Sequence, residues 1–301
     1  MATGVLFSGQ GAQRIGMGQE CANSPILSNC LTLASDLLHL DLKKICFTGP
    51  VEELTRTDVC QVALYAVGYG VFSTLMDRGI LTDVACCAGL SLGEWTALAA
   101  AGAFTFEAGL PLVALRGKLM NEACRMIPGG MLSLIGGTRE EVFTLCRESG
   151  LYPSNFNAPD QVVISGSIAG IASAMDLARN FSFRRIIPIN VAGAYHCPLM
   201  SEAQSAFLLK IKNLNIRKPF IPVFSNVTGQ PHGDPNDIRR LLIEQITAPV
   251  QWEICMQSAA AIGVNNFCEC GAGKVLASLA KKNLPGAIAH EAGEFLKAER
   301  G

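Results

Sequence analysis

The 301-residue chain is long enough to bury a large core, as one domain or two. Half of its residues are hydrophobic, which excludes a disordered chain, and a formal net charge of −1 excludes nucleic acid as the main partner. No uninterrupted apolar run reaches transmembrane length, residues 1–9 lack the basic start of a secretory signal, and the 12 cysteines include no C-x-x-C pair; we therefore expect no membrane, no structural zinc and a reducing, cytoplasmic compartment.

Val5 to Ser8 reads as a short strand running into Gly9-Gln10-Gly11-Ala12-Gln13 and then Gly16-Met17-Gly18. Glycines let such a loop approach a ligand closely. No G-x-x-x-x-G-K-[ST] follows, so it is not a phosphate loop. Residues 25–40 read as a helix with Pro25 in its first turn, and Cys60 to Arg78 as a helix apolar almost all round, hence buried.

Gly89-Leu90-Ser91-Leu92-Gly93 is G-x-S-x-G in the right context. A short apolar run, Val84 to Ala88, precedes it and a run of strong helix formers, Glu94 to Ala101, follows. Strand, glycine-bracketed serine and helix make a nucleophile elbow, in which Ser91 stands at the top of a sheet and the Leu92 amide points where an oxyanion forms. The alternative is a plain Gly-Ser loop.

The next helix starts at Thr105-Phe106-Glu107 and carries Arg116 among apolar neighbours at 112, 113, 115 and 119. A buried arginine needs an anionic partner, either a structural ion pair or a substrate carboxylate, and the spacing leaves both open. Residues 126–192 then read β-α-β-β-α-β, a ferredoxin-like insertion, with a capping box at Thr138-Arg139-Glu140-Glu141. Of the four histidines at 39, 196, 232 and 290, only His196 follows a strand in a small-residue loop ahead of a new helix, where it can serve Ser91 as a base. Lys218 to Val227 reads as a Pro-interrupted strand, residues 237–246 and 252–262 as helices, and Val264 to Cys270 as the last strand. Gly271-Ala272-Gly273-Lys274 lacks the Walker spacing, and the tail beyond Lys281 carries no signal. The expected fold is α/β: an α/β-hydrolase-like core with a parallel sheet (1–125 and 193–301) and an inserted ferredoxin-like subdomain (126–192).

These residues resemble the malonyl-CoA:acyl carrier protein transacylases, acyltransferases of fatty-acid synthesis whose fold also serves polyketide synthases. The resemblance rests on Phe7-Ser8-Gly9-Gln10-Gly11, the elbow with Glu94, the Arg116 helix, Asn155-Phe156-Asn157, Tyr195-His196, Ser225-Asn226-Val227-Thr228-Gly229, Pro249-Val250-Gln251-Trp252 and Gly271-Ala272-Gly273-Lys274. It implies malonyl transfer from malonyl-CoA to the phosphopantetheine thiol of acyl carrier protein, through a malonyl-serine intermediate, by a cytoplasmic monomer without a cofactor of its own. It further implies Ser91 as nucleophile, His196 as base and then acid, the amides of Gln10 and Leu92 as oxyanion hole, and Arg116 as grip on the malonyl carboxylate. Asn157 and Asn226 would bind substrate, and the Gln251 carbonyl would orient the histidine. Two positions depart from the family pattern: Leu90 stands where histidine is usual before the serine, and Tyr195 where malonyl-selective members often have phenylalanine. The competing readings are a serine thioesterase or esterase on a related fold, a polyketide acyltransferase acting in trans, and a non-catalytic docking subunit. The mid-chain place of His196 opposes the esterase, whose histidine normally lies near the C-terminus.

Overall fold

A computed structural model describes residues 2–298. Among these residues eight strands form two sheets: β1 (Thr3–Phe7), β2 (Val84–Gly89), β3 (Gly129–Gly136), β4 (Tyr152–Ala158), β5 (Gln161–Ser167), β6 (Phe183–Ile189), β7 (Asn266–Cys270) and β8 (Ile288–Glu291). The first sheet has the order β2-β1-β7-β8 and is parallel throughout. Every residue of β1 is buried, as in a parallel sheet covered on both faces. The second sheet has the order β4-β5-β3-β6 with antiparallel pairs, which is the ferredoxin-like arrangement. The fold is thus an α/β-hydrolase-like core with an inserted ferredoxin-like unit.

The helix Thr57–Asp77 packs against the helices Pro25–Leu38, Leu92–Ala100 and Phe106–Met126. It is long and apolar enough to cross a membrane, which the expectation from sequence overlooked, but its apolar window is 83% buried inside the fold. Its apolar surface is therefore spent on protein, as an all-round apolar core helix requires. Two further readings are corrected. Lys218 to Val227 makes only isolated bridges, Cys87 with Val223 and Phe224 with Pro231, because Pro219 and Pro222 lack the N–H a ladder needs. Val264 to Cys270 is not the last strand: β8, in the tail, pairs parallel with β7.

The elbow is where chain geometry becomes chemistry. Ser91 has φ 56° and ψ −105°, a region costly for a residue with a Cβ. Side chains are excluded on both sides of it. A Cβ on Gly93 would lie 1.9 Å from the Phe7 carbonyl oxygen, and one on Gly89 would lie 1.9 Å from the Gly93 carbonyl carbon. The inserted unit is stitched to the other by backbone hydrogen bonds between β4 and residue 250: Phe156 N–H donates to the Val250 carbonyl (2.8 Å), and Val250 N–H to that of Ser154 (2.9 Å). The capping box closes as read, with Thr138 and Glu141 each accepting from the other's backbone N–H. A cleft of about 230 Å³ lies between the two units. Ser8, Gly9, Gln10, Ser91 and His196 line it from one side, and Met131, Asn155, Asn157, Gln161 and Ile189 from the other.

Candidate active site

Ser91 and His196 meet across 105 positions of sequence: the Ser91 hydroxyl lies 2.8 Å from His196 Nε2. The other ring nitrogen, Nδ1, is 2.8 Å from the main-chain oxygen of Gln245. A carbonyl only accepts, so Nδ1 carries the proton and Nε2 is left to take one from Ser91. His196 is itself held at φ 55°, which turns the ring back toward the elbow. Burial, and next the charge of Arg116, bring its pKa down to about 4, while the carbonyls of Gln245 and Ala248 pull the other way. The ring is therefore a neutral acceptor at neutral pH.

The histidine-orienting carbonyl belongs to Gln245, not Gln251. Gln251 sits six residues on, where its amide donates to the Asn226 carbonyl (2.7 Å) at the start of the helix Trp252–Ala261. The physical reason is a helix end. Gln245 caps the C-terminus of the helix Pro235–Glu244, where carbonyls lack intrahelical donors and the dipole is negative. That signal was present in the sequence as the end of a strongly amphipathic helix.

Gln245 also serves the site with its side chain. Its Nε2 donates to the Ser91 carbonyl (2.9 Å) and to Glu94 Oε2, and its Oε1 accepts from Arg116 NH2 (3.1 Å). Glu94 is fully buried; its Oε1 is 2.7 Å from His232 Nε2 and its Oε2 accepts from the Asn226 amide (3.2 Å). His232, which the sequence placed in a turn, is thus a buried partner of Glu94. His232 had no local signal, since its partner Glu94 lies 138 positions away, and the helix end at Gln245 did not by itself point to His196, 49 positions away.

Arg116 is almost wholly buried, and among the described residues it makes no ion pair. Its NH1 donates to Gln61 Oε1 (2.6 Å), and its NH2 to Ser91 Oγ and Gln245 Oε1 (3.1 Å each). Its Nε finds no acceptor among the described residues. Burial lowers its pKa to about 10, yet it stays charged near neutrality. No ion pair among the described residues occupies it; its bonded N–H groups meet neutral oxygens, one of them the Ser91 hydroxyl.

Gln10 lies on the loop after β1 and lines the cleft with Ser91, and Leu92 is the first residue of the elbow helix. Neither N–H has an acceptor among the described residues. The Gln10 side chain reaches Thr57 Oγ1 (3.2 Å) and the Tyr195 hydroxyl (3.3 Å), and those two lie 2.9 Å apart. The Tyr195 hydroxyl is thereby already engaged. Asn157 lines the cleft, and its Oδ1 is buried without a donor among the described residues, so it can bind a ligand. Asn226 cannot. It is fully buried, its Oδ1 accepts from the Ser91 amide (2.6 Å) and its Nδ2 donates to the Gly89 carbonyl (2.7 Å). It holds the elbow backbone rather than substrate, because both ends of its amide are used.

Residues 5–291 match the acyl transferase domain family. The chain is 37% identical over 283 residues to the malonyl CoA-acyl carrier protein transacylase of Bacillus subtilis, covering 92% of this chain and 89% of the relative. An acyl carrier protein S-malonyltransferase from Vibrio cholerae superposes with a TM-score of 0.91 at 33% identity, over 97% of this chain and 96% of that one. A malonyl-transacylase solved in complex with its type II polyketide acyl-carrier protein superposes with a TM-score of 0.93 at 32% identity, over the whole of both chains.

Proposed function

This chain belongs to the acyl transferase domain family, and from that premise we propose that it moves a malonyl group from malonyl-CoA to the phosphopantetheine thiol of an acyl carrier protein. Ser91 attacks the thioester and passes its proton to His196 Nε2. The oxyanion forms against the amides of Gln10 and Leu92, and collapse releases CoA, leaving malonyl-Ser91. The carrier thiol then attacks the ester and the same groups act in reverse, which makes the cycle ping-pong. The relatives named for malonyl transfer to a carrier support this reading. The free, buried cysteines suit a reducing, cytoplasmic compartment.

The observation that carries the malonyl assignment is Arg116, a buried cation with no carboxylate partner among the described residues and a hydrogen bond to the nucleophile. A malonyl carboxylate satisfies it; an acetyl group leaves it unpaired, at a cost of a few kcal/mol, on the order of a buried group deprived of its partner. The test is the intact mass of the protein after malonyl-CoA, with and without carrier. We expect one added malonyl, discharged by the carrier and absent from Ser91→Ala. A labelled Ser91→Ala protein rejects the assignment of the nucleophile. In competition between malonyl-CoA and acetyl-CoA, Arg116→Ala should lose most of the malonyl preference.

A further inference from the structure

Two nitrogens converge on the hydroxyl of Ser91: His196 Nε2 at 2.8 Å and Arg116 NH2 at 3.1 Å. They are therefore at most about 6 Å apart. Among the described residues no carboxylate lies against either of them. Gln61 and Gln245 supply the other acceptors of Arg116; Glu94 bonds the Gln245 amide and acts on Arg116 through its charge, without contact. The other titratable groups around His196 stay neutral, since burial raises the Tyr195 phenol and the Cys124 and Cys197 thiols.

When Ser91 attacks, its O–H bond breaks and the proton moves to His196 Nε2. The Oγ–C bond forms while the carbonyl electron pair moves onto oxygen. On collapse the C–S bond breaks, and the sulfur takes the proton back from the imidazolium. Between those events a second cation stands beside the first in a buried site. We propose that the substrate's own carboxylate, by neutralising Arg116, turns His196 into a competent base, so that an acidic acyl group is selected in the rate of serine attack as well as in binding.

This inference rests on Arg116 as the carboxylate receptor. Two effects act together. The carboxylate answers the cation that the imidazolium would otherwise face. It also competes for the guanidinium N–H that now occupies a lone pair of Ser91 Oγ, freeing that oxygen to attack. Arg116 is the second cause holding the His196 pKa down, after burial, so cancelling its charge moves that pKa upward. With acetyl-CoA both restraints remain. Like charges about 6 Å apart at an effective dielectric near 20 slow the step by roughly 100-fold.

The test is single-turnover acylation of Ser91 at saturating malonyl-CoA and, separately, acetyl-CoA, in the natural enzyme and in Arg116→Gln. The acetylation rate constant at saturation should rise about 10- to 100-fold in Arg116→Gln, narrowing its gap to the malonylation rate constant. An acetylation rate constant equal to or below that of the natural enzyme overturns the proposal. The second measurement leaves Arg116 in place: NMR titration of His196 in Ser91→Ala, free and with each acyl-CoA. Malonyl-CoA should raise its titration point and acetyl-CoA should not; equal titration overturns the proposal. Calorimetry on Ser91→Ala separates the two failures. Malonyl-CoA binding no tighter than acetyl-CoA removes the receptor reading itself. Tighter malonyl-CoA binding with an unmoved His196 removes only the coupling.

Discussion

At the residue scale the site is a neutral histidine between a hydroxyl and a carbonyl, beside a cation. Removing His196 deletes the proton acceptor, so His196→Ala should lose roughly two to four orders of magnitude in transfer rate. The buried ring also sets a pH dependence. Its pKa of about 4 lies below the ordinary 6.5, so as pH falls the free enzyme keeps its neutral base longer than an exposed histidine would. Malonylation at subsaturating malonyl-CoA should hold its rate from pH 8 to near pH 5 and fall below that; an inflection near 6.5 would mean that another group is titrating. Stability follows the same sign. Between pH 6.5 and 4 the unfolded chain takes up a proton that the folded one refuses, so this group weakens the fold as pH drops through that window, by up to about 3 kcal/mol.

At the scale of elements, the elbow depends on how closely its helix approaches β1. The helix Leu92–Ala100 can sit there only because Gly93 has no side chain to meet the Phe7 carbonyl. Gly93→Ala should therefore cost more than about 3 kcal/mol, the scale of a severe core substitution, and should lower acylation as the serine is displaced. Gly150 makes the useful contrast: it caps the helix Arg139–Ser149 at φ 69° with nothing within 4 Å of its missing Cβ. Gly150→Ala pays only the left-handed backbone, about 1–2 kcal/mol. Thermal or urea unfolding of the pair checks the order, and equal costs would refute the close-approach argument. The Glu94 carboxylate, one residue further along the elbow helix, ties that helix to Asn226, His232 and Gln245, whose carbonyl anchors His196.

At the scale of the whole molecule, the cleft needs both units: one supplies Ser91 and His196, the other the facing wall. The helix Val275–Asn283 places Val275, Leu276 and Leu279 in the cleft and ends in Lys281 and Lys282. Both are exposed, and Lys282 pairs with Asp160 at 2.7 Å. A carrier delivering its thiol to Ser91 must come close to this rim. Carriers of the kind the resemblance implies are acidic, so rim cations should steer them. Raising salt should then slow carrier malonylation more than self-malonylation from malonyl-CoA, and Lys281→Glu should reproduce the difference severalfold. Equal slowing of both half-reactions would count against electrostatic docking at this rim.

What the sequence by itself determined was local. The elbow is legible because G-x-S-x-G, an apolar run and a run of helix formers are contiguous, and the capping box at Thr138 because its two partners are three residues apart. The alternating pattern of 126–192 is likewise read from neighbours. Arg116 could be seen as a cation on an apolar face, but only tertiary packing decided that two amides and the Ser91 hydroxyl, and no carboxylate among the described residues, accept from it. The same holds for the histidine's anchor. The resemblance pointed to Gln251, yet the carbonyl that meets Nδ1 lies at the end of another helix, because helix packing rather than sequence spacing chooses which free carbonyl reaches the ring. Asn226, Glu94 and His232 illustrate the limit. Each bonds to groups more than a hundred residues away, and hydrogen bonds formed across a folded core leave no periodicity in the chain.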